Sequence, residues 1–210
     1  MEGIIREACV EGLGQACKAE QLGADRIELC ARLDLDGITP DRETITKAFD
    51  VLNIPIRVMV RPRGGNFHYS EAELEEMIQI ISFCKEVGVE GVVFGALTDR
   101  NEVDLQQTQR LIQAARPLKT VFHRAIESTA DIGHSVDQLR SGTDLDAILV
   151  SGTGGGKASD HITELRELQG LFIDRELVVC GKITKDNLEG LHQHIGARAY
   201  HGKLIVGDLK

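Results

Sequence analysis

Short β-rich runs alternate with amphipathic helical stretches from one end of this chain to the other, and that alternation limits the fold more than any single residue does. The runs fall at 4–9, 26–30, 56–61, 91–94, 120–124, 147–150 and 176–180, with a weak last one near 199–201. Helices are predicted between them at 11–22, 41–52, 70–87, 104–115, 132–141, 161–168 and 185–194. In the third, Leu74, Met77, Ile78 and Ile81 recur at the i, i+3, i+4, i+7 spacing of a buried face. Ser70 with Glu73 reads as the capping box that opens it. Glycine stands at most helix-to-strand turns, at Gly23, Gly88, Gly142, Gly170 and Gly196, where a helix often ends in a left-handed residue.

Strand, helix, glycine turn, strand is the βαβ unit, which forces a parallel sheet with right-handed crossovers. The pattern predicts an α/β fold, a single (β/α)-barrel domain over residues 1–210 of the TIM-like kind, with an open doubly wound sheet as the other architecture. Residues 202–210 are too few for a full eighth outer helix. Seven helices are therefore expected, with an uncovered gap beside strands eight and one. A subunit contact there, giving a homodimer or higher homo-oligomer, is the expected way to hide it.

Charge narrows the partners. Lys plus Arg total 24 against 33 for Asp plus Glu, a formal charge of −9, which argues against a nucleic-acid backbone as partner. The first residues lack the cationic start and unbroken apolar run of a signal peptide, and no apolar run is long enough to cross a bilayer. Five cysteines without CxxC spacing read as free thiols, so a cytoplasmic protein without a membrane partner is expected.

In such barrels chemistry collects where strands end. Those positions hold Glu7 and Cys9, Glu28 and Cys30, Arg61 and Arg63, Gly95, His123 and Arg124, Ser151 and Gly152, Gly181 and His201. Charged ends recur on several apolar strands, a costly arrangement unless each charge meets water, a partner or a ligand. Period two turns Arg26, Glu28 and Cys30, and Arg57, Met59 and Arg61, toward the axis, while Arg6 or Glu7 and His123 or Arg124 stay open. One reading is a salt-bridged plug of Glu7, Glu28, Arg61 and Arg124 filling the barrel. The other is a pocket where Arg61 or Arg63 grips a small anionic ligand and Glu28 and His123 divide acid/base work.

Two loops stand out. RPRGGNFHYS, 61–70, pairs two arginines with Gly64 and Gly65 and offers Phe67, His68 and Tyr69 as a lid, or is an ordinary turn before a capped helix. SGTGGGKAS, 151–159, is a phosphate cradle or a flexible loop, and is not a Walker A motif because only three residues separate Gly152 from Gly156-Lys157. Cys9 and Cys30 end adjacent strands about 4.8 Å apart, close enough for two thiolates to meet Cu(I) if both face the axis.

GADRIELC at 23–30, DGITP ending at Pro40, RPRGGNFHYS and VFHRAIE at 121–127 resemble the signature segments of the CutC family, cytoplasmic copper homeostasis proteins. The resemblance spans the first seven strands. It implies a (β/α) barrel, a role in binding or trafficking Cu(I) with Cys9 and Cys30 at the matching cysteine positions, and dimers or larger assemblies. The alternative is a barrel enzyme using the Arg/Glu/His mouth on a small anionic or phosphorylated metabolite.

Overall fold

Alternating side chains along a strand must bury on both faces when the sheet closes on itself. The computed structural model describes residues 3–210. Its strands are β1 (Ile5–Glu11), β2 (Arg26–Cys30), β3 (Ile56–Met59), β4 (Gly91–Phe94), β5 (Lys119–Phe122), β6 (Ala147–Val150), β7 (Glu176–Val179) and β8 (Ala199–Gly202). Between them run α1 (Gly12–Gln21), α2 (Arg42–Val51), α3 (Glu71–Val87), α4 (Leu105–Ala115), α5 (Ile132–Gly142), α6 (Ile162–Leu171) and α7 (Leu188–Ile195). The strands close into a barrel in chain order and every pair is parallel, with β8 returning to β1. The open sheet is thereby excluded.

The two faces make two cores. Ile27, Leu29, Val58, Phe94 and Phe122 point out into the cluster shared with the helices. Cys9, Cys30, Met59, Val93, Leu149 and Cys180 fill the barrel interior. Helix ends follow local chemistry. Ser70 accepts from the Glu73 N–H while the Glu73 carboxylate takes the Ser70 N–H at 2.8 Å, and α3 stops at Gly88, whose φ of 91° is left-handed. Gly142 and Gly170 do not serve as turns; they lie within the last turns of α5 and α6.

The helix ring ends at α7, as expected, but the gap is not open. Ile205, Val206 and Leu209 from the tail are buried in the outer core, and Tyr200 and Ala8 on the outward faces of β8 and β1 are fully covered. Lys185 N–H bonds the Leu204 carbonyl at 3.0 Å and Lys18 Nζ reaches the Lys210 carbonyl, fastening the tail at both sides. Three apolar side chains are enough to cover a face one helix wide, so the expected reason for a subunit contact at that place falls away.

Candidate functional site

The barrel interior is layered. At the N-terminal end, Arg26 and Arg57 meet Glu7, Glu176 and Glu90: Arg26 Nε to Glu7 is 2.5 Å, Arg26 NH2 to Glu176 is 2.8 Å and Arg57 Nε to Glu90 is 2.8 Å. Register alone brings Glu7 beside Arg26 on one flank and His201 on the other. Burial works to raise the Glu7 carboxyl, but Arg26, His201 and Arg57 outweigh it and hold the acid well below its usual range. Glu7, not Arg6, faces the axis, since Arg6 pairs outside with Asp25 at 2.8 Å. Glu7 is thus part of an ionic floor beneath the mouth, where a polar plug does exist, built from Arg26 and Arg57 and not from Arg61 or Arg124.

Above the floor, Cys9, Glu28, Cys30 and His201 converge. The ligand atoms of Cys9, Glu28 and Cys30 lie within 4.8 Å of one another. Cys30 Sγ is 3.3 Å from Glu28 Oε1, and His201 Nδ1 is 2.9 Å from Glu7 Oε1 and 3.6 Å from Glu28 Oε2. The Cys30 thiol beside it, then nearby His201, hold the Cys9 thiol well below its ordinary value despite burial. The Cys30 thiol is pushed up by that same contact, by burial and by Glu28. Burial disfavours a charged His201, yet Glu28, Cys9 and Glu7 raise its pKa well above the usual imidazole value. Burial drives the Glu28 carboxyl up to about 7, with Cys9 and Glu7 adding to the rise.

The mouth itself is a cavity of about 900 Å³ at the C-terminal ends of the strands. Cys9, Glu28, Cys30, Arg61, His123, Arg124, Cys180 and His201 all line it, with Met59, Phe67, Leu149 and Ile183 as apolar wall. Of the two open choices on β5, His123 takes the interior and is 3% exposed. Its Nδ1 accepts the Ala125 N–H at 3.2 Å, which places the ring proton on Nε2. Burial, then Arg61 and Arg124 nearby, lower its pKa to about 3. The direction of that shift and the Ala125 contact favour a neutral His123 ring with Nε2–H as donor. Gly95 makes the ring position possible, because a Cβ there would stand 2.5 Å from His123 Nδ1.

The remaining expected residues separate. Arg61 is buried and lines the cavity, but its NH1 and NH2 groups bind the Leu35, Gly37 and Gly65 carbonyls, so it staples two loops together. Arg63 is turned away, held by Glu73, Asn66 and His68. Arg124 pairs with Glu127 at 2.7 Å, and the same carboxylate takes Ser151 N–H at 2.7 Å and Ser151 Oγ at 2.9 Å. Ser151 and Gly152 are set back from the cavity: a Gly152 Cβ would collide with His161 at 2.3 Å. The loop amides of Thr153, Gly155 and Ala158 are spent on Glu164, Gly152 and Gly181, while Gly154 and Gly156 line the cavity. Glu127, Lys182 and Lys203 were not legible as cavity residues in the sequence. Only the i, i+3 spacing of Arg124 and Glu127 hinted at the first, and nothing marked the lysines.

A closed parallel barrel whose thiols, carboxylate and imidazoles gather at the C-terminal mouth defines a (β/α)-barrel protein with a polar, cysteine-bearing cavity there. Residues 4–206 match the CutC family. A CutC family protein of Pasteurella multocida is 33% identical over 96% of this chain and 88% of its own length. The human copper homeostasis protein cutC homolog is 35% identical over 95% of this chain and 72% of its own. The solved structure of CutC from Streptococcus agalactiae superposes with a TM-score of 0.90 at 32% identity, covering 96% of this chain and 99% of that one. The chain belongs to the CutC family. No helix among the described residues is long and apolar enough to cross a membrane.

Proposed function

We propose that this chain serves copper homeostasis in the cytoplasm by binding Cu(I) between Cys9 and Cys30. The observation that carries the reading is the approach of two buried thiols from neighbouring strands, one of them favoured as thiolate, at the bottom of an accessible cavity. Cu(I) is soft and selects thiolate over carboxylate, so Cys9 and Cys30 are the ligands and Glu28 a neighbour. All five cysteines are free, as a reducing compartment requires. The name carried by the human relative supports the same role. Copper here is cargo, bound and passed on. Association into a homodimer belongs to the reading, with Leu22, Phe49 and Val51 exposed at the ends of α1 and α2 as its apolar surface, and sedimentation measures it.

Anaerobic titration with Cu(I) against a chromogenic chelator tests the site. One ion per chain is expected, with affinity falling about a hundredfold in Cys30→Ser. Cys84→Ser, altering a thiol buried in α3 far from the mouth, leaves it unchanged. Equal binding by Cys30→Ser and the parent protein overturns the assignment.

A further inference from the structure

The copper reading uses the floor of the mouth cavity and leaves its upper part unexplained. Three buried polar atoms on the wall of that cavity have no hydrogen-bond partner, Arg61 Nε, His123 Nε2 and Glu28 Oε2, the last with only the His201 imidazole at 3.6 Å. Arg61 and His123 are 3% exposed and Glu28 is 2% exposed. Because His123 Nδ1 already accepts from Ala125, its free Nε2 is an N–H donor, and the free carboxylate oxygen is an acceptor. A buried donor and a buried acceptor left open on one cavity are costly unless something supplies the complementary pair.

The rest of the wall narrows what that is. Arg61, Arg124, Lys182 and Lys203 line the cavity against Glu28, Asp36 and Glu127, a cationic rim on a chain of net charge −9. Lys182 and Lys203 are exposed, placed to draw an anion in. The glycine loop offers phosphate only part of a cradle, since the Thr153, Gly155 and Ala158 amides are already bonded within the protein. We propose that the mouth cavity binds a small hydroxylated carboxylate, one carboxylate oxygen accepting from His123 Nε2–H and a hydroxyl donating to Glu28 Oε2. The carbon chain lies against Met59, Phe67 and Leu149, and the rim lysines neutralise the anion. A hydroxyl is needed beside Glu28 because a second anionic group there would meet a carboxylate. Glu28 borders the Cys30 thiol at 3.3 Å, so the two sites share an edge, and His123 is the residue that belongs to this one.

The test uses the full copper-free chain under reducing conditions, with glycolate, lactate, malate and gluconate as probes and acetate and inorganic phosphate as comparisons. Thermal shift and calorimetry are expected to show at least one hydroxy acid binding more tightly than acetate or phosphate. His123→Phe, which keeps a ring but removes the donor, is expected to weaken that binding about tenfold or more while Cu(I) stoichiometry is retained. Should that variant not fold, the surface pair Lys182→Ala/Lys203→Ala is expected to weaken binding and flatten its salt dependence. Absence of binding by every hydroxy acid, equal binding in His123→Phe, or tightest binding by phosphate each overturns the proposal. A protein that binds hydroxy acids but not Cu(I) refutes the copper site alone.

Discussion

Replacing Glu7 by Gln tests the ionic floor on which the site rests. The carboxylate is 2% exposed and meets three cationic groups, Arg26 at 2.5 Å, His201 at 2.9 Å and Arg57 at 3.4 Å. Gln preserves the shape and one acceptor oxygen but removes the charge, so two buried guanidinium groups lose a shared counter-ion. Breaking a buried ion pair from one side costs about 3–5 kcal/mol. Part is returned here, because Glu28 is relieved of a repulsive neighbour. A net loss of about 2–4 kcal/mol is expected, a large share of the ~5–15 kcal/mol that holds a domain together. The sign with pH follows from the direction of the shift. The folded Glu7 carboxyl is depressed, so its contribution is complete above the unfolded value of about 4.3 and fades as pH falls toward the folded one. Urea unfolding of parent and variant at neutral pH and in steps below pH 5 measures both effects. A loss under about 1 kcal/mol at neutral pH, or one that does not shrink in acid, refutes the account.

Two further outcomes check the frame around the site. Deleting residues 204–210 removes Ile205, Val206 and Leu209 from the outer core, each worth about 1.5–3 kcal/mol, and bares the outward face of β8. Severe destabilisation with association beyond that of the parent in size-exclusion chromatography is expected, and unchanged stability and size would show the tail to be idle. In Gly202→Ala the new Cβ would sit 2.4 Å from the Ile183 carbonyl oxygen, so β8 must shift at a cost of about 1–3 kcal/mol, read as a lowered Tm; an unchanged Tm contradicts the close packing.

Helix and strand boundaries were readable to within a few residues because they obey local rules. α3 starts where Ser70 and Glu73 exchange hydrogen bonds and ends at Gly88, interactions made within one turn of chain. Glu28, Cys30 and Met59 were legible as inward residues because period two on an apolar strand leaves no alternative. Arg63 failed that logic since it lies beyond the last paired residue of β3, where alternation no longer constrains direction. The glycine loop was half legible for a related reason: its composition permits an anion cradle, but which of its amides are free depends on Glu164 and Gly181, which reach it from other elements.

The sequence by itself determined the βαβ rhythm, the parallel sheet, the missing eighth helix and which strand ends carry ionisable groups, since each follows from spacing along the chain. Only the tertiary structure decided that Glu7 belongs to the floor, that His123 favours the neutral ring, and that the tail closes the gap. Those properties are set by neighbours remote in sequence, Arg26 with His201 for the first, Arg61 with the buried surroundings for the second and α1 for the third. Charge state and burial are sums over such neighbours, and closing the barrel is what brings them within reach of one another.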